Sequence, residues 1–455
     1  MKTVFLTLTI WSLGFLFANG QTNSVSDDFK AGVGIVDISG DGAVILDPLH
    51  VKTILFRQGE EQIALVECDV TGIPDEVISS ARTMVASQTN IPYQNVCVAA
   101  THTHMSKPHK DLVPAIVKAV KEAIANLRPA RLLSATGQEF TEPRNRRYFM
   151  KNGTVEFNPM FLNPDIVRPA GPIDPDVGFI LIRDASSNSP LVSLTNYALH
   201  PDIVKEYGAV YQKDGIGSRN SVSADYPYWV ETNLKREFGE SFNSIFLTGC
   251  CGNINHWDFS KPGPQSGHDT KAKEVGDSLY HAIKRVLPKL KENTPTLAIR
   301  SQIVSVPLQS FTDEHLKWAQ NVNNDELSAK SEEPSERQQF LESVRKRRIL
   351  WLNKQKQKGI TSFPLEIHVI RLNKNTAIVT LPGEMFVEHG QMIKNFSPFE
   401  NTLIVELTNS NDVNYVPNKT AFKQGGYEVE NSRLAPGGGE MLDKMAIKML
   451  NDLKY

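Results

Sequence analysis

The chain has 455 residues, a formal charge of −2, and 40% hydrophobic against 22% charged residues, a composition that allows large buried cores. The near-balanced charge gives no electrostatic basis for a nucleic-acid partner or an anionic membrane surface. Four cysteines, Cys68, Cys97, Cys250 and Cys251, are too few for a disulfide scaffold, and Cys250-Cys251 lacks the CxxC spacing of a redox pair.

In chain order, Lys2 precedes an apolar stretch from Val4 to Phe17, and Ala18-Asn19-Gly20 precedes Gln21. This pattern predicts a signal peptide over residues 1–20 and an exported chain, secreted or periplasmic. The run is short for a membrane span and no second candidate follows, so no integral membrane segment is expected in residues 21–455.

Ile54-Leu55-Phe56, Ile63–Val66 and Asn95–Ala100 read as strands, with helical spacing over Glu76–Gln88 between the last two. A second amphipathic helix is expected over Asp111–Leu127, where Pro114 falls in the first turn. Gly178–Arg183, Leu191–Tyr197 and Ser244–Thr248 read as strands, with a helix at Tyr226–Glu237. Two polar, glycine-containing segments, His200–Asp225 and Gly249–Asp269, follow strands and are of the kind that form sites. Farther on, Leu297–Leu308, Leu365–Leu372, Thr376–Leu381 and Thr402–Glu406 read as strands. Ser331–Asn353 reads as a charged covering helix and Met441–Leu450 as a terminal one. The order predicts the α/β class, with mixed sheets flanked by helices. No repeat or linker divides residues 21–455, which are expected to form one large domain.

Thr101-His102-Thr103-His104 ends the strand Asn95–Ala100 with two imidazoles two residues apart. If the strand continues through His104, both face one side; if it stops, the pair lies in a loop at the sheet's carboxyl edge. Either geometry suits a metal, although an HxH pair alone equally suits hydrogen-bonded surface histidines. His200, at the exit of Leu191–Tyr197, is a third candidate ligand. Glu384, after Leu381-Pro382-Gly383, is a fourth if it points across the sheet edge instead of capping a helix at Met385–Ile393.

Together with Asn414-Tyr415-Val416, the blocks Ala99–His104, Asn196–Pro201 and Pro382–Glu384 fall in the order of the neutral ceramidase family. The chain resembles the family's amino-terminal catalytic domain from about Gly32 to its C-terminus. The resemblance implies one catalytic zinc held by His102, His200, Glu384 and Tyr415. It makes His104 the histidine that assists catalysis or contacts substrate, and Asp69 an acidic group beside the histidine loop. It also singles out Asn145-Arg146 and Asp174-Pro175. Two imidazoles, a carboxylate and a phenolic oxygen suit zinc and leave room for water, provided the ion stabilises a phenolate whose ordinary pKa is near 10. Metal-activated water would then attack a carbonyl, with His104 protonating the leaving group.

Departures from the family bear on the substrate. In Gly252-Asn253-Ile254-Asn255-His256-Trp257, Asn255 stands where the family carries serine. It cannot be a nucleophile, although its amide can orient water or bind an oxyanion. A counterpart of the family's C-terminal immunoglobulin-like domain is also not expected. The expected function is an exported zinc-dependent hydrolase of an amide or ester bond in an acylated lipid or glycan. Arg146, His256 and Trp257 are the substrate-binding candidates, Trp257 either stacking on a sugar or packed as an ordinary core tryptophan. One alternative is a polysaccharide-degrading glycoside hydrolase using opposed carboxylates such as Asp69 and Asp258. The other is a non-catalytic exported carbohydrate- or lipid-binding protein on the same scaffold.

Overall fold

The computed structural model describes residues 28–40, 44–106, 112–204, 221–322 and 334–454; the expected signal segment at 1–20 lies outside them. The spine of a large sheet is built from β1 (Lys30–Asp37), β2 (His50–Gln58), β3 (Glu61–Cys68), β4 (Val96–Ala100), β5 (Arg128–Gln138), β6 (Asp176–Asp184), β7 (Pro190–Tyr197) and β8 (Asn243–Thr248). Their spatial order is β8-β7-β6-β5-β1-β2-β3-β4, and the short strand Lys291–Glu292 also pairs with β5. A second sheet holds, in order, β9 (Pro295–Pro307), β10 (Ser362–Asn373), β11 (Thr376–Thr380) and β12 (Asn401–Val405).

Alternation along the strands explains how these sheets stack. Leu65 and Cys97 point into a core shared with Ile370, Leu372, Ile378 and Leu403 of the second sheet. Their neighbours Val66 and Val98 point the other way, into a core with Ile78, Val85, Ile116 and Val120. Those four belong to α1 (Asp75–Gln88) and α2 (Leu112–Ala125). On the other half of the same face lie α3 (Tyr226–Phe238) and α4 (Lys273–Val286). The outer face of the second sheet is covered by α5 (Val387–Phe396) and α6 (Gly438–Lys454). The result is helix, sheet, sheet, helix, with the central strands β3, β4, β11 and β12 buried almost throughout and largely apolar.

Most pairings are antiparallel, but β3–β4, β7–β8 and β11–β12 are parallel, and each pair is joined through a helix, α1, α3 and α5 in turn. Such crossovers leave loops at the strands' carboxyl ends, where open α/β sheets place ligands. Buried Asn196 on β7 fastens the two sheets together at these ends. Its Nδ2 donates to Leu247 O and Ile404 O, both at 2.7 Å, and its Oδ1 accepts from Ile404 N at 3.3 Å. All four cysteines are buried and unbridged.

Candidate metal centre

The three parallel pairs deliver three side chains to one point. β4 stops at Ala100, and Thr101 N and His102 N then donate to Cys68 O (2.9 Å) and Val70 O (3.0 Å). His102 adopts φ 71°, a left-handed conformation that costs a non-glycine residue on the order of 1 kcal/mol or more and marks positions held by their surroundings. The strand therefore does not run through His104, and both imidazoles belong to a loop at the sheet edge. His200 lies just past β7, with no solvent exposure.

Glu384 follows Gly383, whose φ of 69° turns the chain at the end of β11. It stands in the two-residue strand Glu384–Met385, while α5 begins at Val387 with Phe386 as its N-cap. Its carboxylate is thus outside the helix and points across the sheet edge. The partner strand is Tyr415–Val416, with Glu384 in register with Tyr415.

Second hydrogen bonds set the histidine tautomers. His102 Nδ1 lies 2.5 Å from Thr71 O and His200 Nδ1 lies 2.8 Å from Cys251 O, so each Nδ1 carries the proton and each Nε2 is left as a lone pair. Those Nε2 atoms are 3.0 Å apart. Glu384 Oε2 is 3.3 Å from the first and 3.4 Å from the second, and it has no hydrogen-bond partner. Two lone pairs and a carboxylate oxygen, all buried, repel one another unless a cation sits among them. His104, exposed at the rim, brings its Nε2 to 3.4 Å from His102 Nε2. Among the described residues, His102, His104 and His200 form a cluster able to hold a metal ion, their ligand atoms lying within 4.8 Å of one another.

The electrostatics follow from this crowding. Burial pulls His102 down, but the Glu384 carboxylate more than reverses it, and the imidazole stands above its usual range. Burial and the neighbouring His102 charge hold His200 below its usual range. Burial opposes ionisation of Glu384, yet the two histidines hold it well below ordinary carboxylates. Burial drives the Tyr415 phenol well up, with Arg146 opposing.

Arg146 is buried beside this cluster, its guanidinium 5.2 Å from the Tyr415 ring centre and 5.8 Å from that of Tyr427. Nε donates to Glu428 Oε1 at 2.9 Å, while Nη2 has no hydrogen-bond partner. Arg147 Nη1 donates to the other Glu428 oxygen at 2.7 Å. Tyr427, Glu428 and the carbonyls of Thr71 and Cys251 are site components that sequence reading does not find. Backbone acceptors carry no side-chain signal, and the Gly425-Gly426-Tyr427 stretch reads only as a glycine-containing rim.

The remaining candidates lie in other settings. Asn255 Nδ2 donates to Asn158 Oδ1 at 2.7 Å and its Oδ1 accepts from Trp257 N at 3.1 Å, so the amide braces its own loop and ties it to the Asn158 segment. His256 is buried, with Nε2 2.7 Å from Gln265 O and Nδ1 3.4 Å from Asp202 Oδ1. Trp257 is packed with Tyr148, Met150 and Phe259, the arrangement of a core tryptophan. Asp69 lines a separate cavity of about 50 Å³ with His50, Lys52, Glu67, Thr101 and Glu231. Asp258 sits near the surface, paired with Lys261 at 3.3 Å and Arg144 at 3.8 Å.

No family model matches the chain, and no curated protein matches it by sequence. Among solved structures it is similar to neutral ceramidase from Pseudomonas aeruginosa, at 15% identity and a TM-score of 0.67, over 94% of this chain and 74% of that one. A ceramidase complexed with C2 is similar at 17% identity and a TM-score of 0.67, over 94% of this chain and 75% of the other. The similarity is one of fold: this chain has the α/β architecture of the neutral ceramidase structures, mixed sheets flanked by helices.

Proposed function

We propose that the chain is an exported zinc-dependent hydrolase of an amide or ester bond in an acylated lipid or glycan. The observation that carries this reading is the convergence of His102 Nε2, His200 Nε2 and the unpartnered Glu384 Oε2 within 3.4 Å of one another. A nitrogen and oxygen donor set of this kind suits zinc, and Tyr415, in register with Glu384, is the fourth candidate ligand and the second oxygen donor. The bound ion would supply Lewis-acid polarisation of a carbonyl and activation of water near neutral pH.

This chain's residues perform the rest. Thr71 and Cys251 fix the imidazoles in the metal-binding tautomer. Arg146, buried with its guanidinium 5.2 Å from the Tyr415 ring centre, is the donor a substrate carbonyl oxygen would use. His104, at the exposed rim, transfers a proton at Nε2 to the leaving amine or alcohol. Because two ceramidases share the fold, ceramide is the first compound to try, and Asn255 in place of the expected serine makes other acyl compounds the next. Export rests on residues 1–20, and sequencing the N-terminus of the mature protein checks it.

The deciding experiment pairs metal analysis with a panel of N-acyl and O-acyl lipids and glycans. One zinc per chain, with turnover lost in His102→Ala and Glu384→Gln, supports the reading. A metal-replete protein that cleaves none of the panel overturns the reaction assignment.

A further inference from the structure

Glu406 follows β12, is fully buried, and lies outside every motif of the candidate centre. Its Oε2 accepts from Met385 N at 2.8 Å and from Cys251 N at 3.1 Å, and its Oε1 lies 3.0 Å from the Cys251 thiol. Its own N–H donates to Thr248 O at 3.0 Å, the last residue of β8.

Each of those partners adjoins a candidate ligand. Cys251 O is the acceptor that orients His200 Nδ1, and Met385 directly follows Glu384. One carboxylate therefore spans the loop that aims His200 and the strand that carries Glu384, two segments far apart in sequence. Three donors converge on it, as a buried carboxylate requires. The span is a matter of reach: an oxygen withdrawn by one methylene cannot serve both backbone N–H groups, and each buried N–H left unserved pulls its segment toward another acceptor.

We propose that Glu406 is a positioning residue of the metal centre, setting the His200 imidazole against the Glu384 carboxylate through Cys251 and Met385. This rests on the metal-centre reading above. The test uses Glu406→Gln, which keeps the reach and replaces the carboxyl by an amide, and Glu406→Asp, which keeps the carboxyl and loses the reach. Zinc affinity is measured by competition with a chromogenic chelator, and coordination by the visible spectrum of the cobalt-substituted protein. Apo-protein melting confirms that both variants fold.

Glu406→Asp is expected to weaken zinc about tenfold or more, the scale of losing an outer-shell partner, and to alter the cobalt spectrum. Glu406→Gln is expected to stay close to wild type in both. Wild-type affinity and spectrum in Glu406→Asp overturn the proposal, as does equal damage in both variants. Absence of zinc binding by the wild type overturns the metal reading itself, and the proposal with it.

Discussion

Glu384 and Tyr415 face one another as register partners in a parallel ladder only two residues long, each preceded by a residue of positive φ, Gly383 at 69° and Asn414 at 55°. Two turns and a short ladder thus bring a carboxylate and a phenol to the same edge from segments 31 positions apart. Tyr415 also packs edge-on to Tyr427, with ring centres 5.4 Å apart. Tyr415→Phe preserves that packing and removes only the phenolic oxygen. We expect it to lower zinc affinity by at least about tenfold while apo-protein melting changes little. Chelator competition measures this, and unchanged affinity would remove Tyr415 from the ligand set.

Replacing Arg146 tests whether binding of metal and handling of substrate are separable. Glu428 keeps its Arg147 partner at 2.7 Å when Arg146 is replaced, so Arg146→Met does not strand the buried carboxylate. The expected result is a fall in kcat/KM of about 10² to 10³, the range for loss of one oxyanion donor, with zinc content retained. Loss of zinc in parallel would assign Arg146 to holding the centre instead.

The strand exits and the candidate ligands were legible because β4, β7 and β11 are short, largely apolar runs, with His102, His200 and Glu384 two to four residues past their ends. β1 is harder to read, since Gly32 and Gly34 weaken the strand pattern. Their missing side chains serve α2: a Cβ on Gly34 would sit 1.9 Å from Ala119 O. β5 and α4 were also unread, β5 because Arg128, Arg131 and Gln138 dilute an alternation that only tertiary burial reveals. The direction of Asp69 was not legible either. Its position past β3 suggests the histidine loop, and Thr101 of that loop does line the same cavity, but nothing in the strand pattern shows that the carboxylate accepts from His50 N at 2.8 Å on the neighbouring strand.

That placement has a pH signature. Burial raises Asp69 from 3.8 to about 6, against the pull of Lys52 and the His50 hydrogen bond. The folded chain therefore holds this proton more tightly than the unfolded chain. Its contribution is full below about pH 4 and lost as pH rises to about 6, roughly 3 kcal/mol in all. Asp69→Asn keeps an acceptor for His50 N–H and lacks the titration. Urea unfolding should show the wild type losing roughly 3 kcal/mol relative to Asp69→Asn between pH 4 and pH 7. A difference independent of pH would show that Asp69 ionises as an exposed carboxylate does.

Two glycine substitutions distinguish damage to the scaffold from damage to the centre. Gly252 donates to Met385 O at 2.8 Å, and a Cβ there would come 2.6 Å from Glu384 O and 2.9 Å from Met385 O. The overlap is with backbone, so the strand carrying Glu384 must shift. Gly34→Ala forces a still closer backbone overlap between β1 and α2, away from the histidines. Each should cost about 1–3 kcal/mol of stability. Below their melting temperatures, Gly34→Ala should bind zinc and turn over as the wild type does. Gly252→Ala should bind zinc more weakly and lose turnover, because its overlap displaces Glu384 from His102 and His200. Equal zinc affinity in the two variants would mean that the centre tolerates movement of the Glu384 strand, and that its geometry is set by the histidines alone.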